Sequence, residues 1–220
     1  MKKEDQTIMV VDKNKLFQDN YFQGFQPMGN VNFESRILKD HTFMRRGDVE
    51  ENPNYKQPIA YFTIINPLAK TVFGYQRSTK AGEVRLHKKW SVGLGGHIEK
   101  FDKGVDGSLE KNPIYTSMLR ELEEEVHIGD LNNLKPKLLG YINDDSDAVG
   151  QVHFGLLYTF EVNSGVIVKP KDEEISSGDM IAFELLKTFS GENNLGYKME
   201  EWSKIAMEPI EKYLDLSLNI

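Results

Sequence analysis

The run Arg120-Glu121-Leu122-Glu123-Glu124-Glu125-Val126 holds residues whose types and spacing could do chemistry. On a helix, Glu121, Glu124 and Glu125 stand at i, i+3 and i+4, so their carboxylates project from one stripe of the surface. In water such like-charge pairs cost roughly 0.2–0.5 kcal/mol each. With a divalent cation between the oxygens, the same clustering becomes a binding site, and hard carboxylate oxygens suit Mg²⁺ or Mn²⁺. A heptapeptide of this kind is also an ordinary solvated acidic helix face, so its context decides. Upstream lies Gly93-Leu94-Gly95-Gly96-His97-Ile98-Glu99, where glycines packed beside a strand let the backbone turn or approach a neighbour closely.

Other groups that could meet a ligand are spread around these two stretches. Arg77 to Lys89 is a basic loop in which Arg77 and Arg85 are candidates for gripping an anionic substrate, the other reading being solvated surface. His97 and His153 read either as structural hydrogen-bonding residues or as substrate contacts. Tyr75, Trp90 and Phe154 belong by default to the core, although one of them could stack on a base.

Stepping outward to the elements, Asn112-Pro113 announces the helix that carries the acidic stripe, with Asn as N-cap and Pro in the first turn. Ile114, Met118, Leu119, Leu122 and Val126 form its apolar face, and Arg120, one turn before Glu124, is placed to pair with it. Ile8 to Val11 reads as a strand, Asp12 to Asn14 as a turn, and Leu16 to Phe22 as weakly helical or irregular. The pattern stays irregular to about Pro58, with a strand at His41 to Arg45. Ile59 to Ile65 and Thr71 to Gln76 read as a hairpin, Lys100 to Lys111 as an exposed loop, and Leu138 to Asn143 with Val152 to Val162 as a second hairpin about the acidic turn Asp144 to Asp147. Glu184 to Phe189 and Gly196 to Leu214 carry helical periodicity. Strands before and after a helix that packs on their sheet make a layered α/β domain with a mixed sheet.

Composition narrows the class. The 220 residues suit one main domain with an extension. The charged N-terminus and the lack of any long apolar run predict a soluble protein that is neither secreted nor embedded in a membrane. The absence of cysteine removes disulfides, thiolate ligands and a cysteine nucleophile, and is compatible with the cytoplasm. A net charge of −7 argues against a duplex nucleic-acid binder.

From Gly96 through Ile128 the sequence resembles the Nudix hydrolase superfamily, with a leaning to its phosphoesterase-like subgroup. The family box runs from a glycine through an intermediate glutamate to R-E-U-x-E-E-x-G-U, where U is bulky and aliphatic. Arg120 to Ile128 matches that tail at every specified position but one, with His127 in place of glycine. The resemblance covers about Ile59 to Leu186. It implies a Nudix-like α/β/α sandwich with a mixed sheet; the flanking segments lie outside it, and the chain as a whole reads as a domain over residues 58–220 with C-terminal helices and an N-terminal extension over residues 1–57 packed on it. It also implies Mg²⁺-dependent (or Mn²⁺-dependent) attack of water on a nucleoside diphosphate linked to another moiety. In such a reaction Glu121, Glu124, Glu125 and Gly96 would contact the metal and Arg120 would orient the carboxylates. The base would be one of those glutamates, or Glu173 or Glu174 from a later loop. A small nucleotide-type substrate and a homodimer follow from the same resemblance.

Two departures bear on the site. The loop from Gly96 to the helix is longer than the usual box, and counting back from Arg120 lands on Asn112, a neutral amide where the family has a carboxylate. Glu99, Asp106 and Glu110 are the candidates to replace it. These changes motivate an alternative, a catalytically weak Nudix-like nucleotide-binding or regulatory module. The isoprenoid-diphosphate isomerase branch is disfavoured because it looks to a catalytic cysteine.

Overall fold

The computed structural model describes residues 2–29, 31–78, 87–102, 112–129, 135–171, 175–191 and 196–217. The chain opens with β1 (Thr7–Asp12), α1 (Lys13–Phe17), β2 (Gly24–Pro27), α2 (Phe33–Asp40), β3 (Thr42–Arg45) and α3 (Arg46–Val49). It continues through β4 (Tyr55–Asn66), β5 (Thr71–Arg77), β6 (Trp90–Ser91), α4 (Pro113–Glu125), β7 (Val126–Ile128) and β8 (Pro136–Asn143). The last elements are α5 (Ala148–Val152), β9 (His153–Glu161), β10 (Val168–Pro170), β11 (Ile175–Ala182), α6 (Phe183–Ser190) and α7 (Glu201–Leu216). This is the expected mixed α/β fold, with contacts gathered into two compact units.

The first unit comprises Met1–Tyr61, Gly95–Glu121 and Leu138–Leu157. Here β1 pairs antiparallel with β3, from Thr7 opposite Arg45 to Val10 opposite Thr42, and its end pairs with the start of β4. Strand β2 lies along β8, Gly24 opposite Asn143. The region expected to be irregular is well formed because its polar residues act as caps. The Asp12 carboxylate accepts from the amides of Asn14 and Lys15, starting α1 where a turn was expected, and Asn32 caps α2 through the Ser35 amide. Phe17, Phe33, Tyr141 and Phe154 interlock with ring centroids 5.0–6.1 Å apart.

A polar staple crosses this unit. Lys56 is fully buried, and its ammonium donates to Asp145 (2.6 Å) and to the carbonyls of Gly150 and His153. Lys13 also donates to Asp145, at 3.0 Å. Burial pushes the Asp145 pKa up, but hydrogen bonds from both lysines outweigh it and hold the carboxyl below its ordinary range.

The second unit comprises Phe62–Leu94, Leu122–Lys137 and Tyr158–Ile220. Its sheet runs β11, β5, then the C-terminal parts of β4 and β9. Strands β4 and β5 form the expected hairpin, Ile65 opposite Val72. Strand β7 pairs with β10, His127 opposite Lys169. His127 is therefore extended rather than a left-handed helix cap, so the glycine missing from the box costs no backbone strain here.

Asp145→Asn leaves the buried Lys56 charge without its counter-ion and is expected to destabilise the protein by about 3 kcal/mol at neutral pH. A carboxyl whose folded pKa is depressed contributes stability that is lost as pH falls through that pKa. Urea titrations across pH should therefore show wild type losing its advantage under acid conditions, the two curves converging. Parallel curves would contradict the role given to Asp145.

Candidate active site

Helix α4 carries the site and begins as its sequence dictates. The Asn112 side-chain oxygen accepts from the Ile114 amide at 3.0 Å, and Pro113 occupies the first helical position. Ile114, Met118, Leu122 and Val126 are buried, while Leu119 is partly covered. The helix is continuous to Glu125, so Glu121, Glu124 and Glu125 do stand on one stripe; Glu124 is exposed and the other two are half-buried.

The first unit brings Gly96, His97, Arg120, Glu121 and His153 together. Arg120 donates from Nη1 to Glu121 Oε1 at 2.6 Å and from Nη2 to the His97 carbonyl at 3.1 Å. Its Nε and Nη2 reach both oxygens of Asp102, at 2.9 and 3.0 Å. This fork is the strongest pairing available to a guanidinium. Burial opposes the charge on Arg120, but Asp102 and Glu121 outweigh it and raise its pKa.

Asp102 is a residue of the candidate site that the sequence reading placed in an exposed loop. It is 2 % exposed, and its Oδ2 also accepts from the Glu99 amide at 2.7 Å. The carboxylate absent at position 112 is thus supplied to Arg120 by Asp102, on a short 3₁₀ turn at Lys100–Asp102. Asn112 instead donates to Glu34. Glu99 accepts from Gln6, and Asp106 and Glu110 lie outside the described residues.

The glycines keep this arrangement tight. Gly95 has φ +134, and a Cβ there would lie 2.1 Å from the Ala60 carbonyl oxygen. A Cβ on Gly96 would lie 2.3 Å from Glu121 Oε1, so the backbone of the turn packs directly on the carboxylate. His97 Nε2 lies 2.7 Å from Gln57 Oε1 and 3.1 Å from His153 Nε2. Because Gln57 donates its amide to Val49, its oxygen faces His97 and assigns the proton to Nε2 of that ring. His153 Nδ1 lies 2.7 Å from the Val149 carbonyl and must donate there, leaving Nε2 as acceptor. Burial first, then His153, Arg46, Lys3 and Arg120, push the His97 pKa well down, which keeps this ring neutral. Both expected substrate-contact histidines thus hold the turn from within.

In the second unit, Arg77 donates to Glu200 at 2.9 Å. Burial opposes its charge, while Tyr75, Glu200 and Glu125 raise its pKa overall. Arg85, Glu173 and Glu174 lie outside the described residues. For a hard divalent cation the donors have the right chemistry: three carboxylates in helical register and a glycine backbone packed on the first of them. Among the described residues no three His, Cys, Asp or Glu side chains stand converged as a finished cage.

Comparisons with known proteins bear on the fold. The chain is 34 % identical over 215 residues to protein YmaB of Bacillus subtilis (strain 168), covering 96 % of this chain and all of that one. Its structure is similar to that of Tm1382, described as a candidate Nudix hydrolase, with a TM-score of 0.72 and 26 % identity over 96 % of this chain and all of the other. The fold also matches a Nudix hydrolase from Alicyclobacillus acidocaldarius, with a TM-score of 0.53 and 10 % identity over 75 % of this chain and 96 % of that one. No family model matches. The chain belongs to the Nudix hydrolase superfamily, within a family that includes YmaB. No helix among the described residues is long and apolar enough to cross a membrane.

Replacing Gly95 by alanine is expected to lower stability by about 2–4 kcal/mol, since the new Cβ meets backbone and φ is unfavourable. Gly129→Ala, with nothing within 4 Å of the added atom, should stay within about 0.5 kcal/mol of wild type. Thermal melts of the two variants give the comparison; equal losses would contradict the packing described. Asp102→Ala should cost about 3 kcal/mol by leaving Arg120 half-buried and under-compensated, and a loss under about 0.5 kcal/mol would reduce this ion pair to surface decoration.

Proposed function

We propose that the protein is a divalent-metal-dependent pyrophosphohydrolase that cleaves a nucleoside diphosphate linked to another moiety, with water attacking phosphorus. The observation that carries this reading is the carboxylate stripe on α4, whose first member, Glu121, is held by Arg120 and by the backbone of Gly96. Membership of the Nudix superfamily supports hydrolysis of a diphosphate linkage. The reading treats residues 58–220 as the hydrolase domain, residues 1–57 as its extension, and the substrate as a small nucleotide-type molecule.

Glu121, Glu124, Glu125 and the Gly96 carbonyl would hold Mg²⁺ or Mn²⁺. When bound, the ion neutralises diphosphate charge and polarises a phosphoryl oxygen. The chain's own contribution is positional. Arg120 fixes the orientation of Glu121, Asp102 fixes Arg120, and the hydrogen-bonded His97–His153 pair secures the turn whose carbonyl Arg120 grips. A stripe glutamate, or Glu174 from the later loop, accepts the proton of the attacking water. The long loop after Gly96, which first favoured a weak binding module, does not leave Arg120 without its acidic partner, because Asp102 takes that place.

A panel of nucleoside diphosphate derivatives assayed with Mg²⁺ should release a nucleoside monophosphate or phosphate from at least one member. Glu124→Gln should lower kcat by about a hundredfold or more, a loss of the size expected for a group that acts at the reacting centre. Turnover that persists unchanged in Glu124→Gln, or no turnover across a broad panel with either metal, would overturn the proposal.

A further inference from the structure

We infer that Phe101 is a stacking platform for the planar aromatic part of the ligand, an inference that rests on the reading of this site as a diphosphate-handling centre. The ring is 65 % exposed, although its chain neighbour Asp102 is almost completely buried. It is not on a loose segment. The turn beneath it is closed by the Asp102 amide donating to the Glu99 carbonyl at 3.0 Å and by the Glu99 amide donating to the Asp102 carboxylate at 2.7 Å. Asp102 is in turn locked to Arg120. The structure thus spends a rigid turn on presenting an apolar ring to solvent.

One face of that ring is accounted for. The Arg120 guanidinium carbon lies 5.5 Å from the ring centroid, a cation–π contact, and the same guanidinium holds Glu121. A single side chain therefore separates Phe101 from the carboxylate at which a diphosphate would be processed. Phenylalanine has no polar group with which to read a ligand, so it offers only a flat apolar surface. Such a surface suits a nucleobase or similar heteroaromatic ring, whichever base it is, because every base has a π-face. The aromatic residues singled out from sequence do not serve. Tyr75 and Phe154 are fully buried, and Trp90 packs on Phe189 and Tyr197 in the second unit. Tyr21, another exposed ring of the first unit, is tied by its hydroxyl to Asp145.

The test is calorimetric binding, in the presence of Mn²⁺, of two probes that are not hydrolysed at the bridge: α,β-methylene-ADP and methylenediphosphonate. Wild type should bind the nucleotide analogue more tightly. Phe101→Ala should weaken that binding about tenfold while leaving methylenediphosphonate within twofold, and Phe101→Trp should retain the nucleotide affinity. Since the ring is exposed, the melting temperature should be unchanged in both variants. Equal losses for the two probes would show that Phe101 acts only through Arg120 and would overturn the inference. So would an unaffected nucleotide affinity, or a wild type that does not prefer the nucleotide analogue. Absence of turnover across the substrate panel would count against hydrolysis alone, since the binding comparison does not depend on it.

Discussion

A guanidinium largely removed from water must be paired, and the way Arg120 is paired organises the site. Taking such an ion out of water costs several kcal/mol unless its donors are satisfied with good geometry. Here the donors divide among the Asp102 carboxylate, the Glu121 carboxylate and the His97 carbonyl. Each acceptor comes from a different local structure: the 3₁₀ turn, the helix itself and the glycine turn. Satisfying one arginine therefore brings three segments into register, and Glu121 acquires a defined orientation as a consequence.

The same constraint explains why side chains are kept small or neutral nearby. Gly96 must lack a Cβ because Glu121 Oε1 occupies that space. His97 Nε2 donates toward His153 Nε2, and a charge on His97 would lie near Arg120 and Arg46. Burial and these neighbouring charges keep His97 neutral, so the turn is held by hydrogen bonds that add no further positive charge beside Arg120. Lys56, whose ammonium holds the carbonyls of Gly150 and His153, extends the support to the far end of this hydrogen-bonded chain.

Much of this was legible in the sequence, for physical reasons that differ by residue. The α4 helix could be read because its N-cap, first-turn proline and apolar period agree, and the β4–β5 hairpin because its β-branched runs flank Asn66-Pro67. The short helices α2, α3 and α5 were missed and α1 was placed three residues late; α2 carried usable signals in its Asn32 cap and in Phe33 and Ile37 one turn apart. The pairing of Asp102 with Arg120 was missed because an ion pair between positions 102 and 120 has no helical or strand spacing to reveal it. A usable signal lay elsewhere: the family box separates its glycine from the intermediate glutamate by five residues, and counting forward from Gly96 reaches Asp102, whereas counting back from Arg120 reaches Asn112. Arg120 was expected to pair with Glu124 from its i, i+4 spacing; the structure shows as its carboxylate partners Glu121, next to it on the helix, and Asp102, brought in by tertiary folding.

The central claim is that the Arg120 fork holds Glu121 ready to receive a cation. Its most direct test is Mn²⁺ titration followed by electron paramagnetic resonance, comparing wild type with Asp102→Asn, which keeps the shape of the partner but removes its charge. The account predicts saturable binding in wild type that weakens by about tenfold in the variant, the size expected when a residue supporting a metal ligand is altered. Identical Mn²⁺ affinities in the two proteins, or no saturable binding in wild type, would contradict it.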